Sequence, residues 1–170
     1  GQGDVGDPTK GQGEYAVAVG FQAGQIGQGD NSVAIGRGAG ATGQEENATA
    51  IGRNAGVTDQ GDSAVALGRS AGYENQGESA VAVGRESGQI NQGAYSVALG
   101  FAAGSVNQAA NGIIISSRGV AVNDSANPNH ILLASDANKY LYYNGTDAWT
   151  FAGGNVGIGT DNPISLLSVS

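Results

Sequence analysis

Apolar residues along this chain come in short alternating bursts, each stopped by a glycine. From Gly13 the bursts recur every 16 residues through six units, without insertion or deletion. A degenerate seventh unit, residues 109–124, follows. One column reads Val17, Val33, Val65, Val81, Val97 and Ile113, interrupted by Thr49. Two residues further on stand Val19, Ile35, Ile51, Leu67, Val83, Leu99 and Ile115. Between them lies alanine, at Ala18, Ala34, Ala50, Ala66, Ala82 and Ala98. Period-two alternation predicts a strand with the Val/Ile columns on a buried face. Because the alternate positions are also apolar, the strand is expected to be covered on both faces.

Glycine recurs in two columns: Gly20 through Gly100 at the strand end, and Gly24 through Gly104 four residues later. Such positions need positive φ or a backbone approach too close for a Cβ. Each unit therefore reads as one coil with two strands and two tight corners. Sixteen residues suit one rung of a parallel β-solenoid. Rungs stack about 4.8 Å apart, so seven make a rod of roughly 30 Å.

Two polar columns are in register with the period. Gln28, Gln44, Gln60, Gln76, Gln92 and Gln108 predict a ladder of stacked amides bonded from rung to rung. Arg37, Arg53, Arg69 and Arg85 form a second column, bracketed by Phe21 and Phe101. Seven residues before each Arg stands an acid: Asp30, Glu46, Asp62 or Glu78. Where Phe101 replaces Arg, Ala94 replaces the acid, while Glu14 ahead of Phe21 breaks the pattern. The covariation suggests acid–Arg pairing, within the rod or between chains; a solvated charged face is the plainer alternative.

From Ser125 the period is lost. "HILLAS" reads as a strand, and "KYLYYNGTDAWTF" as two strands joined at Asn144-Gly145, a strong hairpin signal. The expected organisation is a repeat region over residues 1–124 and a hairpin-rich C-terminal β domain over residues 125–170.

Composition narrows the chemistry. The chain has 170 residues, 31 of them Gly, no Cys, one His and net charge −8. Without Cys there are no disulfides or thiolate metal sites. Three chains would carry 3 × −8 = −24, which argues against nucleic acid or an anionic membrane as partner. No apolar run approaches the ~20 residues of a membrane helix. His130 is the lone histidine, which removes most catalytic triads and multi-His metal sites, and it reads as structural. Asp30, Asn31, Asp59, Asp62 and Asn75 have oxygen donors suited to Ca²⁺, but corners favour these residues anyway, so no metal or cofactor is assigned. Paired acids such as Glu45 and Glu46 imply no recessed pocket, and no enzyme activity is expected. Tyr140, Tyr142, Tyr143 and Trp149, with Phe151, are the candidate ligand-binding residues: flat rings stack on sugar faces. Filling a core is their alternative role. Tyr15, Tyr73 and Tyr95 read as isolated surface rings.

In a single coil the small-residue face is expected to stay in water, and companion chains would cover it. Units such as Asn31–Gly40 (NSVAIGRGAG) and Asp62–Gly72 (DSAVALGRSAG) resemble the head repeats of trimeric autotransporter adhesins and related phage tail fibres. The resemblance covers about Gly13–Gln108 and implies a trimeric parallel β-roll. The piece Asn155–Thr160 (NVGIGT) resembles a motif near the end of phage tail fibres, ahead of an endosialidase-type intramolecular chaperone. No heptads follow, which favours the fibre over the adhesin. Gly1 opens in repeat-like sequence without Met, as in a piece of a longer protein, and Ser170 suits a cleavage end or a simple boundary equally. The resemblance implies a virion tail fibre that attaches as a homotrimer to a host-surface glycan or protein. A bacterial adhesin head is the alternative, and a fibre-borne polysaccharide depolymerase the second.

Overall fold

A computed structural model describes residues 11–116, 128–136, 139–143 and 149–152. Among the described residues the chain is all-β. Eleven three-residue strands make the rod. One set is β1 (Val17–Val19), β3 (Val33–Ile35), β5 (Thr49–Ile51), β7 (Val65–Leu67), β9 (Val81–Val83) and β11 (Val97–Leu99). The other is β2 (Ile26–Gln28), β4 (Thr42–Gln44), β6 (Thr58–Gln60), β8 (Glu74–Gln76) and β10 (Ile90–Gln92). Each strand pairs in parallel with its equivalent one unit on, so Val17 meets Val33 and Gln28 meets Gln44. The protein is a parallel β-solenoid of 16-residue rungs, with an odd-strand sheet and an even-strand sheet back to back.

The odd sheet continues through β12 (Ile113–Ser116), β13 (Ile131–Asp136), β14 (Lys139–Tyr143) and β15 (Trp149–Ala152). β13 is still parallel to β12, whereas β14 and β15 are antiparallel. The last two pair Tyr143 with Trp149 across a connection outside the described residues.

The core reverses the sequence expectation. The alanines, not the Val/Ile columns, point inward: Ala34, Ala50, Ala66, Ala82 and Ala98 are fully buried. The first four pack against Ala23, Ala39, Ala55 and Ala71 from the facing side, and Ala98 packs with Ala103. The repeating rungs are flat, and alanine methyls with glutamine carboxamides fill the layer between the sheets. The Val/Ile/Leu columns face outward and stay partly exposed, Ile35 at 38% and Leu67 at 42%.

Glycine makes that flatness possible at two places in each rung. At Gly68 (φ +130°) an added Cβ would lie 2.7 Å from the Gly84 carbonyl oxygen of the next rung. At Gly56 (φ +52°) it would lie 2.6 Å from Gln60 Oε1, in the space the carboxamide occupies. The second glycine column is thus the seat of the glutamine ladder.

Further left-handed residues recur with the period, in the corners before the odd strands and in the middle of the even strands. Asn31, Asn47, Ser63, Ser79, Tyr95 and Asn111 share one such column, and Asp59, Asn75, Asn91 and Asn107 another. Asn and Asp tolerate this region better than most residues.

Candidate functional site: the aliphatic face and its charged edges

The outer face of the odd sheet runs the length of the rod. It presents two aliphatic columns side by side, from Val17 and Val19 to Ile131 and Leu133, interrupted by Thr49. Val19, Leu99, Ile115 and Leu133 each expose 38% or more of their surface. A continuous apolar strip of this length is characteristic of an interface. It replaces the small-residue face as the surface in need of cover.

Charge flanks the strip. Asp30, Glu46, Asp62 and Glu78 sit in the corner before each odd strand; Arg37, Arg53, Arg69 and Arg85 sit in the corner after it. The two columns therefore stand at opposite ends of three-residue strands. In the described chain Arg69 pairs instead with Glu86, on the next rung. The Arg85 guanidinium stacks on the Phe101 ring, 4.0 Å from its centroid, a cation–π contact worth about 0.5–1 kcal/mol when exposed. The acids make local bonds. Asp30 Oδ1 accepts from the Glu14 N–H at 2.7 Å, and Glu45 Oε2 from the Asp62 N–H at 3.0 Å. Tyr95 is not isolated: the Glu78 carboxylate, by hydrogen bonding to the phenol and by its charge, holds the Tyr95 phenol above its usual range. Tyr15 is the freely exposed ring, at 84%.

The glutamine column lies inside the rod. Gln44, Gln60, Gln76, Gln92 and Gln108 are each at most 2% exposed. Nε2 of Gln44 donates to Gln60 Oε1 at 3.0 Å, and the relay continues from Gln60 to Gln76, Gln92 and Gln108. Each Nε2 also donates across the coil to an odd strand, as from Gln60 to the Thr49 carbonyl at 2.9 Å. The relay stops at its N-terminal side, where neither Gln28 Oε1 nor Gln44 Oε1 has a hydrogen-bond partner. Sequence reasoning missed a second ladder on the even sheet, in which Asn75 bonds Asn91 and Asn91 bonds Asn107. Its signal was present as Asn at a fixed position in consecutive units.

At the C-terminal end the core pattern changes. Ile114 and Leu132 take the positions of the alanine column. His130 takes the position of Ser96 and Gly112: its carbonyl accepts from Ile113 N–H as Gly112 accepts from Val97 N–H. The imidazole is fully buried and lies over Gly112, where an added Cβ would meet the ring. His130 is thus part of the closing layer.

Of the candidate ligand-binding residues, the side chains of Tyr140 and Trp149 lie outside the described structure. Tyr142 and Tyr143 are half-buried. They fall on opposite faces of β14, Tyr142 across from Leu132 and Tyr143 across from Ile131, so these two rings do not form one platform. On the even sheet a shallow open groove runs past Gly43, Glu45, Asp59, Asn75 and Glu78. Among the described residues no three His, Cys, Asp or Glu side chains converge as metal ligands would.

The family model described as the YadA head domain repeat matches this chain twice, at residues 28–55 and 45–71. The rod is adhesin-like. The matched stretches contain β3 to β7 and three of the four arginines of the column, Arg37, Arg53 and Arg69. Neither the curated proteins nor the solved structures contain a match.

Proposed function

We propose that this chain is the attachment rod of a surface-exposed homotrimeric fibre, without enzymatic activity. Three copies run parallel and turn their aliphatic faces to a common axis, which leaves the even-strand sheets outward as the presented surface. The observation that carries this reading is the outer aliphatic strip, interrupted only at Thr49 in one column, on repeats similar to the YadA head. Burying that strip on three chains removes apolar surface from water at about 25 cal/mol per Å². Host glycan or protein is the partner, engaged by weak contacts that trimerisation multiplies. An acidic rod of this kind engages neither nucleic acid nor an anionic bilayer.

A phage tail fibre is the second reading, favoured by the Asn155–Thr160 motif, whose residues lie outside the described structure. In that reading residues 125–170 form a trimeric hairpin-rich domain at the fibre tip.

Light scattering at micromolar concentration tests the assembly, and three chain masses is the expected result. Leu67→Arg on the aliphatic face is expected to abolish trimers. Wild-type protein found as a single chain would sink the proposal. Trp149→Ala then asks where binding lies: loss of host-cell binding with trimers intact assigns it to the tip, and unchanged binding assigns it to the rod.

A further inference from the structure

The two charged columns have a geometric consequence for how copies meet. Acids line the edge of the aliphatic strip where the odd strands begin, and arginines the edge where they end. Within the chain these edges are a strand apart. Among the described residues, Arg37 and Arg53 make no ion pair. When copies run parallel about an axis along the rod, the arginine edge of each meets the acid edge of the next. When two copies pack face to face in opposite directions, arginine meets arginine and acid meets acid. Closed symmetry also removes axial stagger, because a stagger repeated around the ring would not close.

We infer that the acid and arginine columns form an intermolecular seam that fixes parallel, rung-matched packing of the copies, with Arg37 facing Asp30 of the partner subunit and Arg53 facing Glu46 of the partner subunit. The inference rests on the trimeric reading above. The sequence supports zero stagger independently: Phe101, which has lost the cation, falls level with Ala94, which has lost the acid. Arg69 and Arg85 also have partners inside their own chain, Glu86 and Phe101, so the seam is least compensated at its N-terminal half. The seam selects among packings that bury the aliphatic strip equally well, since like charges placed opposite each other repel.

The test uses Arg53 and Glu46, both exposed. Arg53→Glu is expected to weaken assembly about tenfold at low salt, with the difference shrinking as salt screens the seam. Adding Glu46→Arg to Arg53→Glu restores the pair with its signs exchanged and is expected to restore assembly. Arg53→Lys protein treated with a carbodiimide, which joins an amine to a contacting carboxylate, is expected to give covalent trimers with position 53 linked to Glu46. Glu46→Gln in that background removes the link. A link from position 53 to Asp30 or Asp62 instead would overturn the rung matching. Trimers unaffected by Arg53→Glu, without a link to Glu46, would overturn the seam while leaving the trimer intact. A single-chain mass for the wild type would overturn the trimeric reading itself.

Discussion

The middle of the rod and its C-terminal end fill the same space in different ways. Through the repeats the layer between the sheets is alanine methyl and glutamine carboxamide, with Ser87 replacing one alanine of the facing column. At the end the alanine column becomes Ile114 and then Leu132, and the small residue beside it becomes Gly112 and then His130. A repeating layer must fit between identical neighbours on both sides, so no side chain can exceed the gap. The closing layer has a repeating neighbour on one side only, and larger groups there cover what the last alanines would leave open. Repeat arrays generally need such atypical terminal units.

The contrast can be broken most severely in the repeats. Gly68→Ala sets a Cβ 2.7 Å from a backbone oxygen at φ +130°. A loss of about 3 kcal/mol or more is expected in urea unfolding, since neither strain nor clash relaxes easily. Gln76→Leu is expected to cost about 2–4 kcal/mol. It leaves Gln60 Nε2 and Gln92 Oε1 without one bond each and removes the amide bond to the Val65 carbonyl. Gln108→Leu, at the end of the described relay, should cost less; equal losses would show that rungs do not depend on one another.

Ile114→Ala sharpens the comparison from the other side. It converts the closing layer to the repeat pattern and should cost about 2–4 kcal/mol through the cavity left behind. A negligible loss would mean that the end is not closed by volume.

The smallest effect is electrostatic. Tyr95 is held above its usual pKa by Glu78, so the folded state disfavours the phenolate. Its contribution is complete below the unfolded tyrosine value, near 10, and is lost as pH rises through the folded value. A slight fall in stability across that alkaline range, absent in Tyr95→Phe, is expected from thermal unfolding against pH.

Much of this was legible along the chain. Glycine at fixed positions marked the corners, and glutamine in register marked its own stacking, because in a parallel stack equal spacing becomes spatial adjacency. The relation between Gly56 and Gln60 was visible only as a spacing; that the glycine makes room for the carboxamide is a property of the folded coil. The roles of Tyr95 and His130 were also hidden, since each depends on what lies one rung away.

By itself the sequence determined the period, the strand positions and the columns, because covalent spacing of 16 residues dictates which side chains can stack. Only the tertiary structure decided which face is inside. Alternation says that Val33 and Ala34 point opposite ways, but both are apolar, so hydrophobicity cannot label the faces. Packing between the two sheets does: in the repeats alanine methyls and glutamine carboxamides fill the layer, and the Val, Ile and Leu side chains are left on the surface.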